Sequence, residues 1–411
     1  MSADVIIIGA GIIGLSTAWQ LARRSQLKIL VLEKGAAVGE GSTGASSAVC
    51  RHRYTLEEMV VLARDGIHAY RHWQDFTRLD EPRAAFQNDG VLWMPGADLD
   101  WAGIEHERMS ALGIRTALMD DAELQARFPA FSVCIQAPDM EAGTEHLCSG
   151  GGKHLLELDG GYMDPVAATE DLLEACRKCG VEVCFRTSVI QVLEEGGRVS
   201  GVELGDGSQL EAPLVINAAG PWCNDFLTQL GVLQSWTLAP TRIQVLYLDR
   251  PPELVGDIPV TLDMQSGMYF RLQNSGQQLV VGSASERDEQ EVIDTPDEFE
   301  RFPDEAFKLA RLHALHHRLP ALPYRGSVRG YCGLYTVNKQ DMHPIVGETE
   351  VAGFYVANGL SGHGFKLAPA IGSLLAQQIC GEKADFDTEV QGSFLAPDRA
   401  PIPLSDKSVL A

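Results

Sequence analysis

Two glycine clusters carry the chemistry this sequence offers. The first is Gly9-Ala10-Gly11-Ile12-Ile13-Gly14, with Glu33 further on. The second is "GLSGHGFKLAPAIG" (359–372), where glycines flank His363 and Lys366 ahead of an apolar run. Glycines at the G-x-G-x-x-G spacing let a backbone turn tightly and approach a pyrophosphate. A helix starting there aims free N–H groups and its dipole at the phosphates. A carboxylate about 20 residues later accepts hydrogen bonds from a ribose diol. The chemistry is dinucleotide binding.

That site needs a strand, a helix and a second strand to position it. Val5–Ile8 is a buried strand by composition. The next stretch places Leu15, Ala18, Trp19 and Ala22 on one helical face, and "LKILVLEKG" is a second strand ending at Glu33. The chain has 411 residues, which implies two domains. Its formal charge of −23 disfavours nucleic acid and anionic lipid as partners. Nine scattered cysteines are no disulfide framework and point to a reducing, cytoplasmic compartment. Cys176 and Cys179 form a C-x-x-C with only Cys184 nearby. They read as ordinary helix cysteines, and no metal site is expected. The apolar N-terminal run lacks the basic flank and cleavage site of a signal peptide, and no apolar run reaches the length of a membrane span. The Pro-rich tail (386–411) reads as irregular.

The fingerprint leaves NAD and FAD open. After the second strand comes "GEGSTGASSAVCRHRYT" (39–55), a small-residue loop and a basic cluster, where an NAD domain would turn into its next helix and strand. Here the sequence resembles the flavoprotein amine oxidoreductases of the D-amino-acid oxidase superfamily, in the branch of sarcosine oxidase and dimethylglycine dehydrogenase. "LDGGYMDPVAATEDLLEACRKCGVEV" (158–183), "LVINAAGPWC" (214–223) and "MHPIVGE…FYVANGLSGHGFKLAPAIG" (342–372) resemble further family motifs in the family's order. Asp164 and Pro165 also suit a helix N-cap and first turn on their own account.

The resemblance implies an α/β fold: a discontinuous Rossmann-like FAD-binding domain (1–85, 155–230 and 325–385) plus an α+β substrate domain with a mixed or antiparallel sheet (86–154 and 231–324). "TRIQVLYLD" and "QQLVVGSASE" read as substrate-domain strands, and 134–157 as a longer Gly-rich loop near the site or merely on the surface. It places FAD against Gly9, Gly11, Ile13, Gly14, Glu33, Lys34, Ser42, Thr43, Ser46, Ser47, Val189, Ala218, Gly220, Trp222, Gly333, Gly359, Gly362, His363, Gly364, Phe365 and Lys366. Arg51 and Lys366 match the pair that holds a substrate carboxylate. Tyr269 and Tyr335 match tyrosines lining the site, with simple aromatic packing as the alternative. His363 either takes part or only braces its loop. Pro369 is tolerable only near a helix start.

Departures from the family pattern set further expectations. Gly333 stands where sarcosine oxidase links FAD to cysteine, with Cys332 one place earlier. Ala45 stands where dimethylglycine dehydrogenase uses histidine. FAD is therefore expected to be non-covalent. Val280 replaces a lysine that activates dioxygen, and Ala284 a histidine. This favours a dehydrogenase over an oxidase, with a carrier protein, a quinone or O2 as the electron acceptor. The expected reaction is oxidation of a secondary or tertiary amine, an N-methyl or cyclic amino acid, to an imine that hydrolyses. The alternatives are a 2-hydroxy-acid oxidoreductase and the flavin subunit of a hetero-oligomer. Otherwise the chain is expected as a monomer or homo-oligomer.

Overall fold

The computed structural model describes residues 2–144, 146–323, 327–404 and 410. β1 (Val5–Ile8) leads into α1 (Ile12–Ala22) and returns as β2 (Ile29–Leu32). After α2 (Glu57–Arg71) come β3 (Val91–Met94), β4 (Thr116–Asp120) and β5 (Lys153–Glu157). α3 (Pro165–Lys178), β6 (Glu182–Cys184) and β7 (Leu214–Asn217) follow. The chain then forms β8 (Leu238–Asp249), β9 (Val260–Asp263), β10 (Met268–Gln273), β11 (Gln278–Ser283), α4 (Glu305–Arg318) and β12 (Val328–Asn338). β13 (Ile345–Glu348), β14 (Phe354–Asn358) and α5 (Gly364–Cys380) close the fold.

The first sheet has the order β13-β14-β7-β1-β2-β6, parallel except for β13. Its central strands β1 and β2 are apolar throughout because both faces are covered. Val5 and Ile7 face a layer with Trp19, Ile67, Leu172 and Leu375 from the helices. Ile6 and Ile8 face Val215, Phe226 and Phe354. A Cβ on Gly372 would lie 2.8 Å from the Ser16 carbonyl oxygen, so α1 and α5 cross backbone to backbone there. Asp164 caps α3 through Ala167 N–H at 2.8 Å.

The second sheet has the order β12-β8-β11-β10-β9-β3-β5-β4 and is antiparallel except for the β9–β3 pair. The α/β class with a mixed second sheet is as the sequence indicates. Two details differ. β12 pairs along its whole length with β8, so 328–338 belongs to the second sheet and not the first. The end of the supposed loop 134–157 is β5, an internal strand between β3 and β4. Strand alternation gives this sheet two different faces. Met268 and Phe270 pack with Leu315 under α4, while Tyr269 joins Trp93 and Leu262 on the opposite face. The tail carries one 3₁₀ turn, Gly392–Leu395, and its residues 405–409 and 411 lie outside the described residues. No helix among the described residues is long and apolar enough to cross a membrane.

Candidate active site

A cavity of about 890 Å³ opens at the C-terminal ends of β1, β2 and β7. That is near the upper end of the range of about 300–1,000 Å³ for small-ligand sites. Gly9 has φ +102°, and a Cβ there would fall 2.7 Å from the Ala218 carbonyl oxygen. Glu33 Oε2 accepts from Ala10 N–H at 2.8 Å and its Oε1 from Gly35 N–H at 2.7 Å, which locks the turn against the end of β2. Ile12 N–H donates to Thr43 Oγ1 at 3.1 Å, and Ser42 Oγ donates to the Leu334 carbonyl at 2.6 Å. These bonds stretch the 39–47 loop from α1 to β12.

Of the residues expected at the cofactor, Gly9, Gly11, Ile13, Glu33, Lys34, Ser42, Thr43 and Ser46 line this cavity on one side. Val189, Ala218, Gly220 and Trp222 line it on another, and Gly362, Gly364 and Phe365 line its end. Lys34 Nζ stands 3.6 Å over the Trp222 ring. The far end is the N-terminus of α5, whose first-turn N–H groups have no helical partners and present positive potential.

A small annex of about 40 Å³ adjoins that end and shares Ser46, Tyr335, Gly362 and Phe365 with the main cavity. It brings together Arg51, Lys366, Tyr269 and Tyr335, with Ser47 and Ala284 in its wall. Arg51 and Lys366 are 3% and 5% exposed. Both cations face the Tyr54 ring, with Arg51 Cζ 4.2 Å and Lys366 Nζ 5.8 Å from its centroid. Burial, then the nearby Arg51 charge, pushes the Lys366 ammonium well below its ordinary pKa. A buried guanidinium beside a buried amine makes a site that favours an anion. The Tyr335 and Tyr269 hydroxyls are pushed up by burial and stay protonated. A Cβ on Gly282 would fall 2.3 Å from Tyr269, so the glycine on β11 leaves room for that ring. Leu410 also lines the annex, and its carbonyl accepts from Arg53 Nη1 at 2.9 Å.

The arginine segment is held by a carboxylate that sequence reasoning missed. Glu157, at the end of β5, is fully buried. It accepts from His52 N–H at 2.6 Å, Arg53 N–H at 3.1 Å and Trp93 Nε1 at 2.8 Å, and lies 3.0 Å from His52 Nδ1. Burial alone would raise this carboxyl, but the His52 and Trp93 donors outweigh it and hold it below its ordinary value. Arg271 was missed as well. It lies on the Tyr269 face of β10, donates Nε to the Ser47 carbonyl at 2.7 Å and covers the Tyr162 ring at 4.3 Å. Its signal was available, two residues after Tyr269 in an alternating strand.

Four expected residues line neither cavity. Gly14 serves packing, since its Cβ would fall 2.0 Å from the Gly9 oxygen. Gly333 lets β12 approach the loop, since its Cβ would meet that of Ala45 at 2.5 Å. Gly359 turns the chain at φ +68°. His363 is fully buried behind the annex, with Nδ1 3.1 Å from the Tyr54 hydroxyl, so it braces its loop. Burial, then Lys366 and Arg51, push its pKa well down and keep the ring neutral. Pro369 sits further into α5 than a helix start. Its missing N–H would leave the Phe365 carbonyl bare, and the Tyr70 hydroxyl donates to that oxygen at 2.7 Å. Cys332 lines neither cavity and lies beside Arg242. Val280 lines neither cavity either, and stands opposite Arg271 in the sheet.

Residues 4–378 match the model of a family described as FAD dependent oxidoreductase. FAD-dependent oxidoreductase domain-containing protein 1 from Bos taurus is 28% identical over 92% of this chain and 81% of its own length. N-methyl-L-tryptophan oxidase from Escherichia coli is 25% identical over 94% of this chain and 97% of its own length. L-proline dehydrogenase from P. horikoshii shares the fold with a TM-score of 0.81 at 22% identity, over 96% of this chain and 97% of that one. The cavity fits FAD: the Gly9 turn leaves no room for a Cβ, Glu33 braces that turn from the end of β2, and two helix N-termini face the groove. The chain belongs to the FAD dependent oxidoreductase family, and FAD is its cofactor.

Proposed function

We propose that this flavoenzyme oxidises a secondary or tertiary amine bearing a carboxylate, an N-methyl or cyclic amino acid. The observation that carries the reading is the meeting of Arg51 and Lys366 in an annex joined to the N-terminal end of α5. The names of the relatives, an N-methyl amino acid oxidase and a proline dehydrogenase, agree with it. Bound FAD supplies the two-electron acceptor for the C–H bond beside the amine nitrogen. Gly9, Gly11, Glu33 and Thr43 would hold its nucleotide half, and Gly362, Gly364 and Phe365 its ring end.

The protein's own part is binding, orientation and charge. Arg51 offers a planar fork and Lys366 a point charge to one carboxylate. That carboxylate raises the Lys366 pKa and protonates it, so Lys366 is not left as a base. The annex lining holds no carboxylate and no imidazole among the described residues. A hydroxyl substrate needs a base to take its proton, whereas a neutral amine pushes with its own lone pair. This favours the amine over the 2-hydroxy acid. Glu157 keeps the 51–53 backbone in place, and the α5 N-terminus stabilises negative charge beside it.

We further read the enzyme as a dehydrogenase with a carrier or quinone acceptor, because valine replaces a lysine at position 280. The FAD is non-covalent in this reading, supported by the position of Cys332 outside both cavities. Nine cysteines, none in a disulfide, support a cytoplasmic setting. The test is an anaerobic titration of the yellow protein with N-methyl amino acids, proline and 2-hydroxy acids, followed by air. Bleaching by an amine is expected, with slow recolouring. Bleaching by hydroxy acids alone would overturn the amine reading, and fast recolouring the dehydrogenase reading.

A further inference from the structure

A cluster outside the reaction site gathers the side chains of a metal centre. Cys134, His146 and Cys148 come from the irregular segment before β5, and His317 from the last turn of α4. One ligand atom of each lies within 4.8 Å of the others. Cys134 Sγ is 3.3 Å from His146 Nε2, and the His146 and His317 rings are 5.0 Å apart. His317 Nε2 is buried without a hydrogen-bond partner. Neither cysteine is in a disulfide.

We propose that these four residues bind one Zn²⁺ in a closed, tetrahedral Cys₂His₂ site. Two thiolates and two imidazoles are a donor set that zinc prefers, and four protein ligands leave no open position for catalysis. Metal–ligand bonds of about 2.0–2.3 Å put tetrahedral ligand atoms about 3.3–3.8 Å apart, a spacing that the Cys134–His146 pair already has, so loading draws in only the more distant pairs. The two thiol protons leave to solvent, and nothing is oxidised or reduced.

The surroundings suit a structural ion. The segment is short of core residues, and its Leu147 is 92% exposed, so apolar burial does little to hold it. A structural metal supplies what such a core cannot. Arg318, next to His317, donates to the Ser132 and Cys134 carbonyls at 2.7 and 3.2 Å and pairs with Asp263 at 3.1 Å. That network fixes the backbone of one ligand, as outer-shell partners commonly do. Asp263 ends β9, so the ion would fasten the segment and α4 to the second sheet, on the face away from the annex.

The test uses the purified holoenzyme under reducing conditions, stripped with chelator and reloaded with Zn²⁺ or Co²⁺. One zinc per chain should survive dialysis. Co²⁺ should give tetrahedral bands in the red, beyond the flavin absorption, with a thiolate charge-transfer band. Cys148→Ser and His317→Ala should each weaken Zn²⁺ by more than the roughly 100-fold seen for lost outer-shell partners. Zn²⁺ should raise the Tm of the wild type and not of Cys148→Ser. His146→Ala should leave the rate of flavin reduction unchanged. Cys148 is exposed, so its variant stays folded where one at buried Cys134 fails. Zinc below about a tenth of an equivalent after loading, zinc retained in both ligand variants, or a Cys134–Cys148 disulfide in freshly prepared protein would each overturn the proposal.

Discussion

The cofactor groove and the annex adjoin, yet they are built on opposite plans. The groove is mostly backbone. Its turn at Gly9 and Gly11, the Ala218 carbonyl and the starts of α1 and α5 need small residues more than particular side chains. The annex is mostly side chain. Arg51, Lys366, Tyr269 and Tyr335 come from four separate segments and are aimed by buried partners such as Glu157 and Gly282. The groove should therefore be broken by adding a methyl group, and the annex by removing a charge.

The sharpest separation comes from the two cations. Arg51→Met and Lys366→Met should each reduce kcat/KM for a carboxylate-bearing amine by about 2–5 kcal/mol, roughly 30-fold or more. The flavin content and absorbance should stay as in the wild type. A variant with normal KM and kcat would remove the carboxylate role. The complementary break is Gly14→Ala. Its Cβ would fall 2.0 Å from the Gly9 oxygen, and moving α1 away would open the phosphate turn. FAD affinity should drop about 10- to 100-fold, some 1–3 kcal/mol. Gly103→Ala is the control, because nothing lies within 4 Å of a Cβ there. Flavin content after gel filtration reads both variants, and full flavin in Gly14→Ala would count against the packing argument.

Glu157→Gln tests whether the annex depends on its buried support. It leaves the shape but removes the charge that His52 N–H, Arg53 N–H and Trp93 Nε1 donate to. At neutral pH it should destabilise the fold by about 1–3 kcal/mol. KM should rise more than kcat falls, since the variant loosens Arg51 without touching the groove. The folded-state pKa of Glu157 is lowered, so its contribution is present above the ordinary glutamate pKa and is lost as pH falls through the folded value. The Tm gap between wild type and variant should close in acid. A gap independent of pH would mean that the carboxylate charge is not what holds the segment.

The same contrast decides what could be read from the chain alone. The Gly9–Gly14 turn and Glu33 announce themselves because the spacing of a strand-turn-helix is local. Arg51 and Lys366 are far apart in sequence, and only the resemblance to a family joined them. Glu157 was invisible because 134–157 reads as a Gly-rich loop, and its donors come from elsewhere. The sequence leaves His363 between taking part and bracing its loop, because side-chain direction decides the matter, and it points to Tyr54. No sequence pattern states that β12 pairs with β8, because pairing between segments so far apart in the chain leaves no local signal.

The smallest effect is also the most specific to the annex. Without a ligand, burial and Arg51 hold the Lys366 pKa well below 10.5. A bound carboxylate supplies a nearer opposite charge and raises that pKa again. Between the two values, binding a simple carboxylate such as acetate must take up a proton. Its Kd should be flat at lower pH, where Lys366 is already charged, and should then rise with pH by at most about tenfold per unit, or 1.4 kcal/mol. Flavin absorbance titrated with acetate across neutral and alkaline pH measures this directly. Lys366→Met should bind acetate more weakly, with no such slope, whereas Glu157→Gln should bind it more weakly with the slope intact. If the wild-type Kd does not change with pH until free lysine titrates, Lys366 is charged throughout. The annex would then bind its carboxylate through a fixed pair of cations and not through one that charges on binding.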